Sequence, residues 1–218
     1  MEELAFLRSA VATPDDPAPL LVFADWLEER GNRLAKQVRQ WAGSEPTCGL
    51  GWPSVALLFV PQPLGVRFAA SCAEHVQPLL AARFLAEGRP AAALSAIRRW
   101  LQGEATKRQV REASQDLLGL IVAVEDGRGE VLDPGWLEDS REAVQAYWAA
   151  RSAYEAAFAV GFVPSNKEWR SAAQSASGFA LDAASPGNPH RVRGKWRLDW
   201  EYRQELQWQR DRLAELLT

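Results

Sequence analysis

The chain has 218 residues, is 47% hydrophobic and 24% charged, and carries a formal net charge of -3: a globular composition, long enough for one sizeable core or two small ones. The acidic balance argues against a general nucleic-acid binder, and the longest apolar run, Val55 to Val60, is far too short to cross a bilayer. Two cysteines, Cys48 and Cys72, and two histidines, His75 and His190, cannot build a zinc site of the usual spacing or a disulfide framework; buried free thiols, no metal and no cofactor are expected.

The first residues, MEELAFLRSAVATPDD, show no basic segment leading into an apolar one, which predicts a soluble cytoplasmic protein. Leu4, Phe6, Leu7, Ala10 and Val11 have helical spacing over Glu2 to Val11. Thr13-Pro14-Asp15-Asp16-Pro17 breaks the chain and offers capping oxygens to a second helix over Pro17 to Arg30, with the stripe Leu20, Phe23, Ala24, Leu27 and the stop Gly31. A third short helix is predicted from about Arg33 to Trp41. Residues 43–66 change in texture: Gly, Pro and Ser flank Val55 to Val60, which reads as a linker with one short strand or extended segment, Gly65-Val66-Arg67-Phe68 being the nearest partner for it.

Helical spacing resumes at Phe68 and runs to Glu87, with Pro78 expected to kink or split it and Gly88 to end it. Pro90 suits the first turn of the next helix, marked by Ala93, Leu94, Ile97, Trp100 and Leu101 and stopped by Gly103. Thr106 and Gln109 form a capping-box pattern for a helix from Lys107 to about Glu125. A long helix is predicted from Pro134 to about Val160, an alanine-rich one from Ser165 to Ala184, and a last one from Lys195 to Leu217. The alanine-rich faces suit close approach of helix axes.

Two stretches carry family likenesses. AFLRSAVATPDDPAPLLVFADWLEERG, within about residues 3–41, resembles a short module known as the repeat-companion domain, which recurs in certain large bacterial genomes and implies an appended adaptor without an activity. Asp25 in it suits a tie between helix ends, and Trp26 a cap on a small core. Ser71 to Pro78, then Gly88-Arg89-Pro90 with Ala93-Leu94 and Ala96-Ile97-Arg98-Arg99-Trp100-Leu101-Gln102-Gly103-Glu104, resembles the start of an all-helical family of bacterial immunity proteins. The alanine-rich helices and Trp208-Gln209-Arg210-Asp211-Arg212-Leu213 extend that resemblance over about residues 68–218. It implies binding and blocking a cognate toxin, with no cofactor.

Candidate residues divide into structural and interacting. His75 beside Glu74 could do acid–base work, but without a nucleophile it reads as a histidine bonded to a backbone carbonyl near Pro78. Arg89, Arg98 and Arg99 read as internal to the fold, and His190 to Lys195 as an exposed basic loop. Most of the ten tryptophans read as core and helix-contact residues. Glu125, Asp126, Glu130, Asp133, Glu138, Asp139 and Glu142 form the most acidic stretch; it reads either as a solvated turn and helix start or as a patch for a basic protein partner such as a toxin.

The expectation is a mainly α protein: a multi-helix bundle over residues 67–218, a small N-terminal helical module over 1–42, and a linker over 43–66 with at most a short extended segment. The expected function is non-enzymatic protein binding, with an immunity-like inhibitor first and an adaptor or scaffold recruited through its N-terminal module second. Neither a nucleic acid nor a membrane is an expected partner.

Overall fold

The computed structural model describes residues 2–13, 16–43, 55–81, 88–125, 141–162, 168–184, 191–192, 195–196 and 200–218. The fold is mainly α. Its helices are α1 (Glu2–Ala12), α2 (Ala18–Glu29), α3 (Ala35–Ala42), α4 (Gln62–Ala81), α5 (Arg89–Leu101), α6 (Lys107–Glu125), α7 (Arg141–Gly161), α8 (Glu168–Ala184) and α9 (Trp200–Leu217). Between α8 and α9 lie β1 (Arg191–Val192) and β2 (Lys195–Trp196), an antiparallel ladder pairing Arg191 with Trp196.

Local signals mark several helix ends. Gly31 and Gly103 adopt φ of 64° and 79°, where a side chain would be strained, and they follow α2 and α5. At the start of α6 the Gln109 side chain accepts from the Thr106 N–H at 2.8 Å, and the Thr106 hydroxyl accepts from the Gln109 N–H at 3.3 Å, the reciprocal capping box. The Asp16 carboxylate accepts from the Ala18 N–H at 2.9 Å as α2 begins.

One hydrophobic cluster runs from Leu7 and Phe23 through Phe68, Ile97 and Leu117 to Leu213 and Leu217. Its centre is α4, α7 and α8. Ala146, Ala149, Ala153 and Ala156 on α7 are buried, as are Ala172, Ala173, Ala176 and Ala180 on α8, and these methyl surfaces let the two axes draw together. The Ser152 hydroxyl, also buried, crosses that seam to the Ala176 carbonyl at 2.7 Å. α1 rests on α2 and α9, where Arg8 donates through Nε to the Leu217 carbonyl. Asp25 does tie helices together: Arg39 of α3 reaches it at 2.5 Å and Glu28 at 2.7 Å. Trp26 packs on Phe6 and Phe23 under the Arg30 guanidinium.

α4 is pinned at its start. The buried Gln62 amide donates to the carbonyls of Ala159 at 2.9 Å and Phe162 at 3.1 Å, satisfying the end of α7. Gln62→Leu should therefore cost about 1–3 kcal/mol, because it leaves carbonyls unpaired in the interior. Urea unfolding checks this; an unchanged midpoint would show that the bonds contribute nothing.

The structure departs from the sequence expectation in four places. Val55 to Val60 is not extended: Leu58 N–H donates to Val55 C=O and Phe59 N–H to Ala56 C=O, both at 3.0 Å, in helical and tight turns. Val55, Ala56, Leu57 and Val60 are buried, and Phe59 meets Phe23 edge-on, so tertiary packing overrides β propensity. Gly65 to Phe68, the expected strand partner, lies inside α4. Pro78 lies inside α4, which continues on both sides of it, so it does not split the helix. Lys195 and Trp196 belong to β2, and the last helix starts at Trp200.

Candidate functional site

α4 places Cys72, His75, Val76 and Leu79 on one face, the i, i+3, i+4, i+7 series. α9 sets Glu205, Trp208, Gln209 and Arg212 opposite them in the same series. His75 Nε2 lies 3.1 Å from Glu205 Oε2. The imidazole stacks on the Trp208 indole, with centroids 3.8 Å apart and planes 11° from parallel. Gln209 donates to Glu205 Oε1 and to the Ser177 carbonyl, each at 3.0 Å, which links the pair to α8.

The two partners differ in exposure. Glu205 keeps only 3% of its side-chain surface in solvent, while His75 is 41% exposed. Burial pushes the Glu205 carboxyl up to about 7, although the Gln209 hydrogen bond pulls the other way. Burial also lowers His75. Both effects favour the uncharged pair on the acid side of pH 7, in which the Glu205 O–H donates to Nε2.

A cleft of about 420 Å³ opens beside the pair, walled by Val76, Pro78, Leu79, Trp208, Glu201 and Gln204. An adjoining hollow of about 530 Å³ shares His75 and Trp208 and adds Glu74, Asp211, Arg212 and Glu215. The neighbouring nucleophile types are quenched. Burial, and then the charge of Glu205, raise the Cys72 thiol well above its ordinary range, so it stays protonated. The Ser71 hydroxyl donates to the Arg67 carbonyl at 3.0 Å and accepts from Arg212 Nε at 3.1 Å. The arrangement can hold or exchange one proton and offer an aromatic face. Among the described residues, no three His, Cys, Asp or Glu side chains could together hold a metal ion.

His75 is thus bonded to the buried carboxyl group of Glu205 on α9 rather than to the backbone carbonyl expected near Pro78, because that face of α4 is covered by α9. Glu74 turns to Arg98 at 2.6 Å, tying α4 to α5, and Arg99 donates to the Glu104 carbonyl at 3.3 Å. Glu205 was missed by sequence reasoning. Its signal is a charged residue inside the apolar stripe Tyr202, Leu206, Leu213 of α9, accompanied four residues on by Gln209. Trp169 is fully buried, and Trp26, Trp41, Trp100, Trp148 and Trp208 are partly buried against the core.

Of the acidic stretch, Glu125 closes α6 and Glu142 lies in the first turn of α7. Asp126, Glu130, Asp133, Glu138 and Asp139 lie outside the described residues. No described helix is long and apolar enough to cross a membrane.

No curated protein and no solved structure matches this chain. Residues 61–120, which span α4, α5 and most of α6 and include His75 but not Glu205, match the family model described as Imm-5 like putative immunity protein.

Proposed function

We propose that this chain is a non-enzymatic protein-binding protein, an immunity-like inhibitor that binds and blocks a cognate bacterial toxin. The match of residues 61–120 to an immunity-protein family carries the reading. The quenched Cys72 thiol and the committed Ser71 hydroxyl beside His75 are in keeping with recognition rather than turnover. The binding surface is the acidic stretch of Glu125, Asp126, Glu130, Asp133, Glu138, Asp139 and Glu142, and its partner is a toxin with a basic face, drawn in by complementary charge.

The test is co-expression with the protein encoded beside this chain's gene. That neighbour should arrest growth alone, the chain should relieve the arrest, and the two should co-elute as a complex. Glu138→Lys combined with Asp139→Lys should weaken the purified complex by about tenfold at low salt, with the melting temperature held. A harmless neighbour, or an arrest the chain fails to relieve, overturns the immunity reading. Undiminished affinity in the charge-reversed variant overturns the acidic surface.

A further inference from the structure

Away from His75, a groove of about 360 Å³ runs between α6 and α7. That volume lies in the range of small-molecule sites, about 300–1,000 Å³. Its two walls differ in chemistry. Arg111, Ser114, Gln115 and Leu118 of α6 follow the i, i+3, i+4, i+7 series, so three polar groups line up along one side. Opposite stand the rings of Tyr154 and Phe158, with Phe162 at the end. Tyr154 and Phe158 are stacked with centroids 5.7 Å apart, and Phe158 meets Phe162 edge-on at 4.9 Å.

Three observations say that the groove is unfilled and what would fill it. Gly161 lines it, and a Cβ built there meets no atom within 4 Å, so empty space stands where a side chain could. Phe158 keeps 44% of its surface exposed although it sits in a ladder of rings, which leaves an aromatic face uncovered. Ser114, only 4% exposed, sets a hydroxyl-bearing side chain in the wall of the groove. Charge gives the sign. Arg108, one turn earlier, is neutralised by Glu112 at 2.8 Å, whereas Arg111 has no ion pair among the described residues and no acidic side chain lines the groove.

We infer that the groove between α6 and α7 is a binding site for a small aromatic carboxylate. The ring of the ligand lies on Phe158 and Tyr154, over the space beside Gly161. The carboxylate accepts hydrogen bonds from Arg111, Ser114 and the Gln115 amide.

The test is isothermal titration of the full chain with 2-naphthoate, and with the neutral 2-naphthalenemethanol as the control. The intact chain should bind the acid saturably at one site, and the alcohol about tenfold more weakly or less, the difference a lost charge-assisted bond makes. Gly161→Leu fills the groove from a helical position with open space around it and should abolish binding; Phe158→Ser, at an exposed position, is the second variant should the first fail to fold. Arg111→Glu should reduce affinity for the acid and leave the alcohol unaffected. Absence of saturable binding to the intact chain, or binding undiminished in the groove-filling variant, overturns the site. Equal affinity for acid and alcohol overturns the carboxylate assignment.

Discussion

Raising the pH from about 5 to about 8 is expected to remove up to about 3 kcal/mol of stability through Glu205 alone, and Glu205→Gln is expected to abolish that loss. The folded carboxyl titrates at about 7 because it is buried, against an ordinary value of 4.5. Between those values the folded state holds a proton that the unfolded chain has released, so stability falls as pH rises and levels off above the folded value. A tenfold difference in proton affinity between the folded and unfolded carboxyl is worth about 1.4 kcal/mol, which sets the size. His75 acts in the opposite sense: its lowered value adds stability as pH rises toward 6.5. Burial also raises Asp182 and Glu155, whose contributions have the same sign as that of Glu205. The informative curve is therefore the difference between wild type and Glu205→Gln, measured by urea unfolding at each pH, since Asp182 and Glu155 cancel in it and what remains belongs to Glu205 and the His75 bonded to it. Glutamine mimics the protonated acid, donating to His75 and accepting from Gln209. A difference curve flat with pH would show that Glu205 titrates near its ordinary value.

Gly65→Ala should destabilise the fold by about 3 kcal/mol, the upper end of the overpacking range. Helix propensity alone forecasts the opposite, a gain of about 1 kcal/mol for alanine over glycine. The sign is decided by α8. A Cβ on Gly65 would stand 2.4 Å from Cζ3 and 3.0 Å from Cη2 of Trp169, with Leu57 Cδ2 at 3.4 Å behind it. Trp169 is fully buried, so the ring has no solvent to retreat into. Trp169→Phe removes those two ring atoms and should itself cost stability by leaving a void. In that background Gly65→Ala should become nearly harmless, giving a coupling of about 2 kcal/mol in a double-mutant cycle. Additive effects, or a stabilised single variant, would mean that the two helices do not meet through this contact.

What could be read from the chain was local, and what could not was long-range. Gly31, Gly103 and the Thr106–Gln109 box act within one turn of their own positions, and the structure uses them as the sequence reading expected. The helical stripes and the alanine-rich faces also survive, because their periodicity is a property of the segment itself. Val55 to Val60 misled because a β-branched run states a preference for burial more firmly than a backbone conformation, and here the burial is supplied by helices. The partner of His75 was out of reach for another reason. Glu205 is distant in sequence, and only the packing of α9 on α4 brings the two within 3.1 Å. The groove at Phe158 was equally out of reach: the sequence predicts the helix that carries Tyr154 and Phe158, but nothing local tells that Gly161 leaves the adjoining space empty. The immunity resemblance extended over the whole bundle, while the family match ends at residue 120, short of the alanine-rich helices, where small side chains carry little family signature.

The contact of α1 with α9 has a bearing on how the protein is made. α1 is synthesised well before α9, on which it rests. Synthesis at roughly 5–20 residues per second separates them by on the order of 10–40 s. Through that interval the face of α1 that Arg8 later fastens to the Leu217 carbonyl has no native partner within the nascent chain. The closing step joins segments far apart along the chain, so the circuit is completed only once α9 has been made, and any factor shielding the earlier helices must release α1 before α9 can dock.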